Sequence, residues 1–186
     1  MGARFVTAGA ATADATAESL PFPDDHVDAA MATFSVHQWS DLEAGLGELR
    51  RVARGPVVIM TCDPQLLDRF WLIDYAPEII QTEARRYPAI DRIARALGGD
   101  IETVPLPIPL HCRDGFGEAY YGRPEALLDP GARQANSAWS FLEPDAVERA
   151  VDHLSRDLAS GAWDARHAHL RTQPTFDGSL VLVIAR

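Results

Sequence analysis

The stretch Ala17–Met60, "AESLPFPDDHVDAAMATFSVHQWSDLEAGLGELRRVARGPVVIM", decides the fold. Inside it Val27–Phe34, "VDAAMATF", is short, nearly continuous in apolar character and flanked by polar residues, which predicts a strand buried on both faces. Ser40 and Glu43 stand at capping-box spacing. Leu42, Leu46, Leu49 and then Val52 or Ala53 recur at helical spacing until Gly55–Pro56 stops the pattern. Pro56–Thr61, "PVVIMT", reads as a second buried strand. A strand, a helix of about three turns and a strand in so short a span make a βαβ unit with parallel strands and a right-handed crossover. The fold class is therefore α/β.

Outward from this unit the pattern continues. Residues 65–97 are helical in pattern and are divided by Pro77 and Pro88 into about three pieces. "IETVPLPIPL", Ile101–Leu110, is a proline-broken strand that belongs near a sheet edge. Residues 114–141 are aromatic and irregular, with short helices expected over one end of the sheet. A long helix runs from about Pro144 to Ala159 and stops at Gly161, and "DGSLVLVIAR" supplies a turn and a buried C-terminal strand.

Composition narrows the function. The chain has 186 residues, 47% of them hydrophobic, enough for one domain with a substantial core. Its 17 basic and 27 acidic residues leave a net charge of -10, and no basic cluster suits a phosphate backbone, so nucleic acid is not expected as a partner. Cys62 and Cys112 lie far apart without CxxC spacing, which points to a reducing, cytoplasmic setting. No apolar run reaches the roughly 18 to 20 residues of a membrane span, so no membrane partner is expected. His111 with Cys112, and His167 with His169, lack further ligands at a metal spacing.

The ordered series in Ala17–Met60 resembles the class I S-adenosylmethionine-dependent methyltransferases, in the branch that includes ubiquinone- and menaquinone-biosynthesis-type enzymes. Its parts are an "A-E-x-L-P-F-x-D" turn, a "V-D-A" strand, a helix ending "R-V-A-R" and a hydrophobic strand. The resemblance implies a Rossmann-like three-layer fold: a mostly parallel sheet of strand order 3-2-1-4-5-7-6 with an antiparallel C-terminal strand, in which Val27–Phe34 is the fourth strand. It also implies residues 65–97 and 114–141 as helical insertions covering the acceptor. The family's Gly-rich turn and the acidic residue that holds the ribose are not found. Only 16 residues precede Ala17, whereas two strands and two helices need on the order of 60. The expectation is a single, N-terminally truncated domain.

The same resemblance implies S-adenosyl-L-methionine as cofactor, with Thr16, Ala17 and Glu18 near the adenine edge. Ligands of open α/β sheets gather beyond the carboxyl ends of strands, which brings Thr33, Phe34 and Ser35 to the cofactor. Plain turn and strand-end packing are the alternatives. His37, just after that strand, reads either as a base or acceptor-positioning residue or as a hydrogen-bonded structural histidine. Trp39, Trp71 and Tyr120 are the candidate acceptor contacts, within an aromatic set that also holds Phe70, Tyr75, Phe116, Tyr121 and Trp139 and could equally be core. Asp24 and Asp25 read as turn residues.

The resulting expectation is methyl transfer to a small organic acceptor. A non-catalytic methyltransferase-like module acting through association, or a plain nucleotide-binding α/β domain, are the rivals. A sheet lacking its first two strands would leave Val27–Phe34 as an apolar edge, so a homodimer joined there, or a marginally stable chain, is expected.

Overall fold

The computed structural model describes residues 12–186. The segment Arg4–Ala8, "RFVTA", named in the sequence as a candidate cover for that edge, lies outside the described residues.

Strand β1, Ala30–Thr33, leads through a short 3-10 turn at Val36–Gln38 to helix α1, Leu42–Val52. Strand β2, Val57–Cys62, follows and pairs with β1 in parallel, Ala30 opposite Val57. The βαβ unit is thus present, with two corrections. The helix cap is Asp41, whose Oδ1 accepts from the Ala44 N–H at 2.9 Å, while the Ser40 hydroxyl donates instead to Glu18. And β1 is buried on one face only: Ala32 is covered, but Met31 is 57% exposed. The reason lies in the layers. Ala30, Ala32, Val57 and Ile59 share the face that packs on α1, and nothing among the described residues covers Met31 on the other.

Two more 3-10 turns lead to α2, Pro77–Arg86, and α3, Ile90–Leu97, the two helices separated at Pro88 as the sequence implied. Ile93 and Leu97 of α3 join Leu42 and Leu46 of α1 in one apolar cluster, so α3 lies in the helical layer beneath the sheet. Strand β3, Ile101–Pro105, is the sheet's second edge, where Pro105 costs no interior ladder bond. Strand β4, Ile108–Pro109, then leaves the main sheet.

Residues 117–141 form short 3-10 turns and the five-residue helix α4, Pro130–Gln134. Helix α5, Pro144–Ser160, ends where Gly161 takes φ 80, a left-handed conformation that glycine adopts without a Cβ penalty. That turn starts α6, Ala162–His167. Strand β5, Thr175–Phe176, pairs with β4, and β6, Leu180–Ala185, runs antiparallel between β2 and β3.

The main sheet has the order β1-β2-β6-β3. Because β6 opposes both neighbours, the other three strands run one way, and the sheet is mostly parallel with one reversed C-terminal strand. This is the arrangement expected for the fourth, fifth, seventh and sixth strands of the Rossmann-like methyltransferase fold. A second, larger apolar cluster gathers α2, α5, α6 and the 3-10 turns beyond the carboxyl ends of β1 and β2. No helix of the described residues is long and apolar enough to cross a membrane.

Candidate functional site

A cavity of about 250 Å³ opens where β1 and β2 end. Phe34 and His37 come from the turn after β1, Cys62 from the end of β2, Ile79, Ile80, Glu83 and Tyr87 from α2 and the residue after it, and Phe116 and Glu118 from the segment above. In an open α/β sheet this is the position where ligands bind.

Phe34 takes φ 47, a left-handed conformation uncommon for a side chain of its size. The turn directs its ring onto Phe116, with centroids 5.3 Å apart, while the Phe34 N–H still donates to the Met60 carbonyl at 3.0 Å. His37 lies against Tyr87 with ring centroids 4.4 Å apart. Its Nδ1 is buried without a hydrogen-bond partner among the described residues. Burial first, and the Arg86 charge second, push its pKa down to about 4, so the ring is neutral near pH 7.

Glu118 was not singled out by the sequence, yet it is the most enclosed charged residue of the cavity, 4% exposed. The Ser179 N–H donates to Oε1 and Oε2 at 3.0 and 3.1 Å, and the Ser179 hydroxyl to Oε2 at 2.7 Å. Burial raises its pKa to about 7 against the opposing effect of those hydrogen bonds. Gly178 leaves room for it: a Cβ there would stand 2.5 Å from Glu118 Oε1. The available signal was a single carboxylate in a run of glycine and aromatic residues, "GFGEAYYG", Gly115–Gly122. Nearby, Glu83 is raised by burial although Arg86 pairs with it at 2.7 Å, and the Cys62 thiol is pushed up by burial to about 12.

The other sequence candidates stand elsewhere. Thr16 accepts from the Ser19 N–H at 3.2 Å, closing the turn that carries Ala17 and Glu18. The Glu18 carboxylate accepts from the Ser40 N–H and hydroxyl, both at 2.9 Å, and from the Asp41 N–H at 3.2 Å. Backbone hydrogen bonds, its own and then that of Asp41, hold its pKa at about 2, so it ties the entry of α1 to this turn. Trp39 lies over Gly45 of α1, where a Cβ would meet its ring at 2.5 Å, within the cluster beneath the sheet. Trp71 is buried and donates its indole N–H to the Tyr121 carbonyl at 2.8 Å. Tyr120 lies under the Arg123 guanidinium, 5.4 Å from its ring centroid. None of Thr33, Ser35, Trp39, Trp71 and Tyr120 lines the cavity. Thr33, exposed, and Ser35, half-buried, flank Phe34 at the end of β1. No cluster of three or more metal-ligating side chains occurs among the described residues.

Residues 3–60 match the methyltransferase-domain family model. The fold is shared with a protein of Anabaena variabilis described as a methyltransferase from an antibiotic biosynthesis pathway. The two are 28% identical at a TM-score of 0.85, over 91% of this chain and 70% of that one. A methyltransferase of Thermotoga maritima described as SAM-dependent (15% identity, TM-score 0.46, 91% and 60% covered) and the YcgJ protein of Bacillus subtilis (18%, 0.45, 92% and 69%) are looser likenesses. No curated protein matches by sequence. With the Anabaena structure, the family match shows the fold of a methyltransferase domain.

Proposed function

We propose that the chain performs S-adenosylmethionine-dependent methyl transfer to a small organic acceptor held in the cavity at the ends of β1 and β2. One observation carries the reading: a half-open, largely apolar cavity at the ligand-binding end of this fold holds two polar groups with altered proton affinity, His37 and Glu118.

In this reading the residues named for the cofactor, Thr16, Ala17, Glu18, Thr33, Phe34 and Ser35, form one wall of its groove. The left-handed turn at Phe34 ends β1 and leaves Thr33 exposed and Ser35 half-buried, while the Thr16–Ser19 turn is held beside α1 through Glu18. Glu18 therefore serves by bracing the turn, since its carboxylate is occupied by three donors. When bound, the cofactor supplies a methyl group already activated by its sulfonium, so the chain's own task is positioning and, for an acceptor that carries a proton, removing it. Glu118, with a pKa near the working pH, is suited to take that proton, and neutral His37 to orient the acceptor by hydrogen bonding. Of the insertions expected at residues 65–97 and 114–141, residues 65–87 and 114–141 act as the lid of a single domain, with Trp71 buried beneath it and Tyr120 part of it, while α3 packs with α1 beneath the sheet.

The free thiols Cys62 and Cys112 accord with a cytoplasmic setting. Among the described residues β1 has a neighbour on one side only, so a homodimer along that edge belongs to the same reading. A concentration-independent monomer in light scattering would remove the dimer.

Titration calorimetry with S-adenosylhomocysteine is expected to give saturable heat. With an accepted substrate, His37→Ala is expected to lower turnover by roughly tenfold or more while the melting temperature stays within a few degrees. Absence of heat from a cooperatively folded chain would favour the non-catalytic module instead.

A further inference from the structure

The cavity's lining is one-sided in charge. Glu83, Asp114 and Glu118 contribute carboxylates, and no arginine or lysine is among the lining residues. Arg86, the cation beside it, is engaged by Glu83 at 2.7 Å and lies over the Phe141 ring at 4.6 Å. The rest of the wall is aromatic and aliphatic: Phe34, Phe70, Tyr87 and Phe116 present rings, and Leu67 and Ile80 fill between them.

We infer that this cavity recognises a small organic amine in its cationic form, the ammonium seated against Glu118 and the carbon skeleton against the Phe34, Phe70 and Phe116 rings. The identification of the acceptor class rests on the methyl-transfer reading above; the binding preference does not.

Three physical points select this ligand class. A cation reaching the buried Glu118 carboxylate gives up part of its hydration and needs a carboxylate or ring faces to replace it, and this wall offers both. An anionic ligand would meet carboxylates, and the cation beside the wall, Arg86, is already paired with Glu83. A neutral apolar ligand would leave Glu118 buried and unpaired above its pKa, which an ammonium would relieve. The titratable groups around Glu118 reinforce the choice. His37 after β1, Cys62 at the end of β2 and Tyr87 after α2 are all held in their neutral forms, the tyrosine raised chiefly by burial, while Glu83 is offset by Arg86. Asp114 is exposed to water at the cavity's edge, so Glu118 is the buried carboxylate whose charge is free to answer the ligand's.

The test is equilibrium binding to the whole chain, without cofactor, of three probes of one shape: 2-phenylethylamine, 2-phenylethanol and phenylacetate. At pH 8 the amine is expected to bind at least about tenfold tighter than the alcohol, with phenylacetate weakest. In Glu118→Gln the amine and alcohol affinities are expected to fall within about threefold of each other. The wild-type comparison stands by itself if that variant folds poorly. Equal affinities for amine and alcohol, or tightest binding of phenylacetate, would overturn the inference. So would loss of amine binding when S-adenosylhomocysteine is saturating, since the carboxylates would then belong to the cofactor's own site. Because the probes are titrated without cofactor, failure to bind S-adenosylhomocysteine leaves the amine result readable and counts against the methyl-transfer reading alone.

Discussion

Unfolding free energy measured from pH 4.5 to pH 8 is expected to differ in shape between the wild type and Glu118→Gln. Glu118 has its pKa raised from 4.5 to about 7. A raised carboxyl contributes stability that is fully present below pH 4.5 and is lost as pH rises through 7, a loss on the order of 3 kcal/mol. His37 acts in the opposite sense: depressed from 6.5 to about 4, it contributes stability that is present above pH 6.5 and lost as pH falls through 4. Between pH 4.5 and 6.5 the two slopes oppose each other. Wild type should therefore be flattened there and should decline towards pH 7.5. Glu118→Gln should gain stability from pH 4.5 to 6.5 and decline less above it than wild type, because the histidine slope then dominates. Glu83, also raised by burial, adds a smaller slope of the same sign as Glu118 in both proteins. Parallel curves for the two proteins would show that Glu118 has an ordinary carboxyl pKa and would remove the raised proton affinity on which its role as base rests.

The largest effect on stability is expected at Trp163. Its side chain is completely buried between Trp71, whose ring meets it edge-on with centroids 5.5 Å apart, and Arg171, whose guanidinium lies 4.8 Å from its ring centroid. It joins α6 to the cluster beneath the lid. Trp163→Ala is expected to cost about 3–5 kcal/mol in denaturant unfolding, a large part of a typical domain's stability. Trp163→Phe should cost clearly less, since it keeps an aromatic filler and removes an indole N–H that has no partner among the described residues. An alanine variant within about 1 kcal/mol of wild type would mean that α6 does not brace the cavity cluster.

The sequence made the sheet legible because its strands and α1 carry their own local signals. It also held a reason for two of its motifs to occur together. Arg51, in the "R-V-A-R" end of α1, donates to the Phe22 carbonyl and to Asp24 Oδ1, both at 2.8 Å, so the "L-P-F-x-D" turn and the helix end are one hydrogen-bonded unit. The Asp24–Asp25 pair is accordingly a turn. The cap was misplaced by one residue because Ser40 satisfies the capping-box spacing while its hydroxyl is drawn to Glu18, 22 residues earlier. The cavity was less legible. Phe34 and His37 are adjacent to a strand end and could be named. Glu118 could not, because its burial depends on Ser179, 61 residues later, closing over it. Trp39, Trp71 and Tyr120 have the composition of ligand contacts, and nothing local distinguishes a ring that faces a cavity from one that faces Gly45 or Arg123.

The left-handed backbone at Phe34 reverses the usual ranking of two substitutions. In a strand, glycine is about 0.5–1 kcal/mol worse than alanine. At φ 47 the order inverts, because alanine keeps the Cβ that crowds the neighbouring carbonyl and glycine does not. Phe34→Gly and Phe34→Ala both remove the ring that touches Phe116, yet only the glycine releases the backbone. Glycine should therefore be the more stable by about 1 kcal/mol. The wild-type residue is then a compromise visible in thermodynamics: the backbone here favours glycine over any side chain, and the position carries a ring that packs on Phe116. The difference between the two variants isolates the conformational penalty, and the difference between Phe34→Gly and wild type in amine affinity isolates what the ring contributes in return.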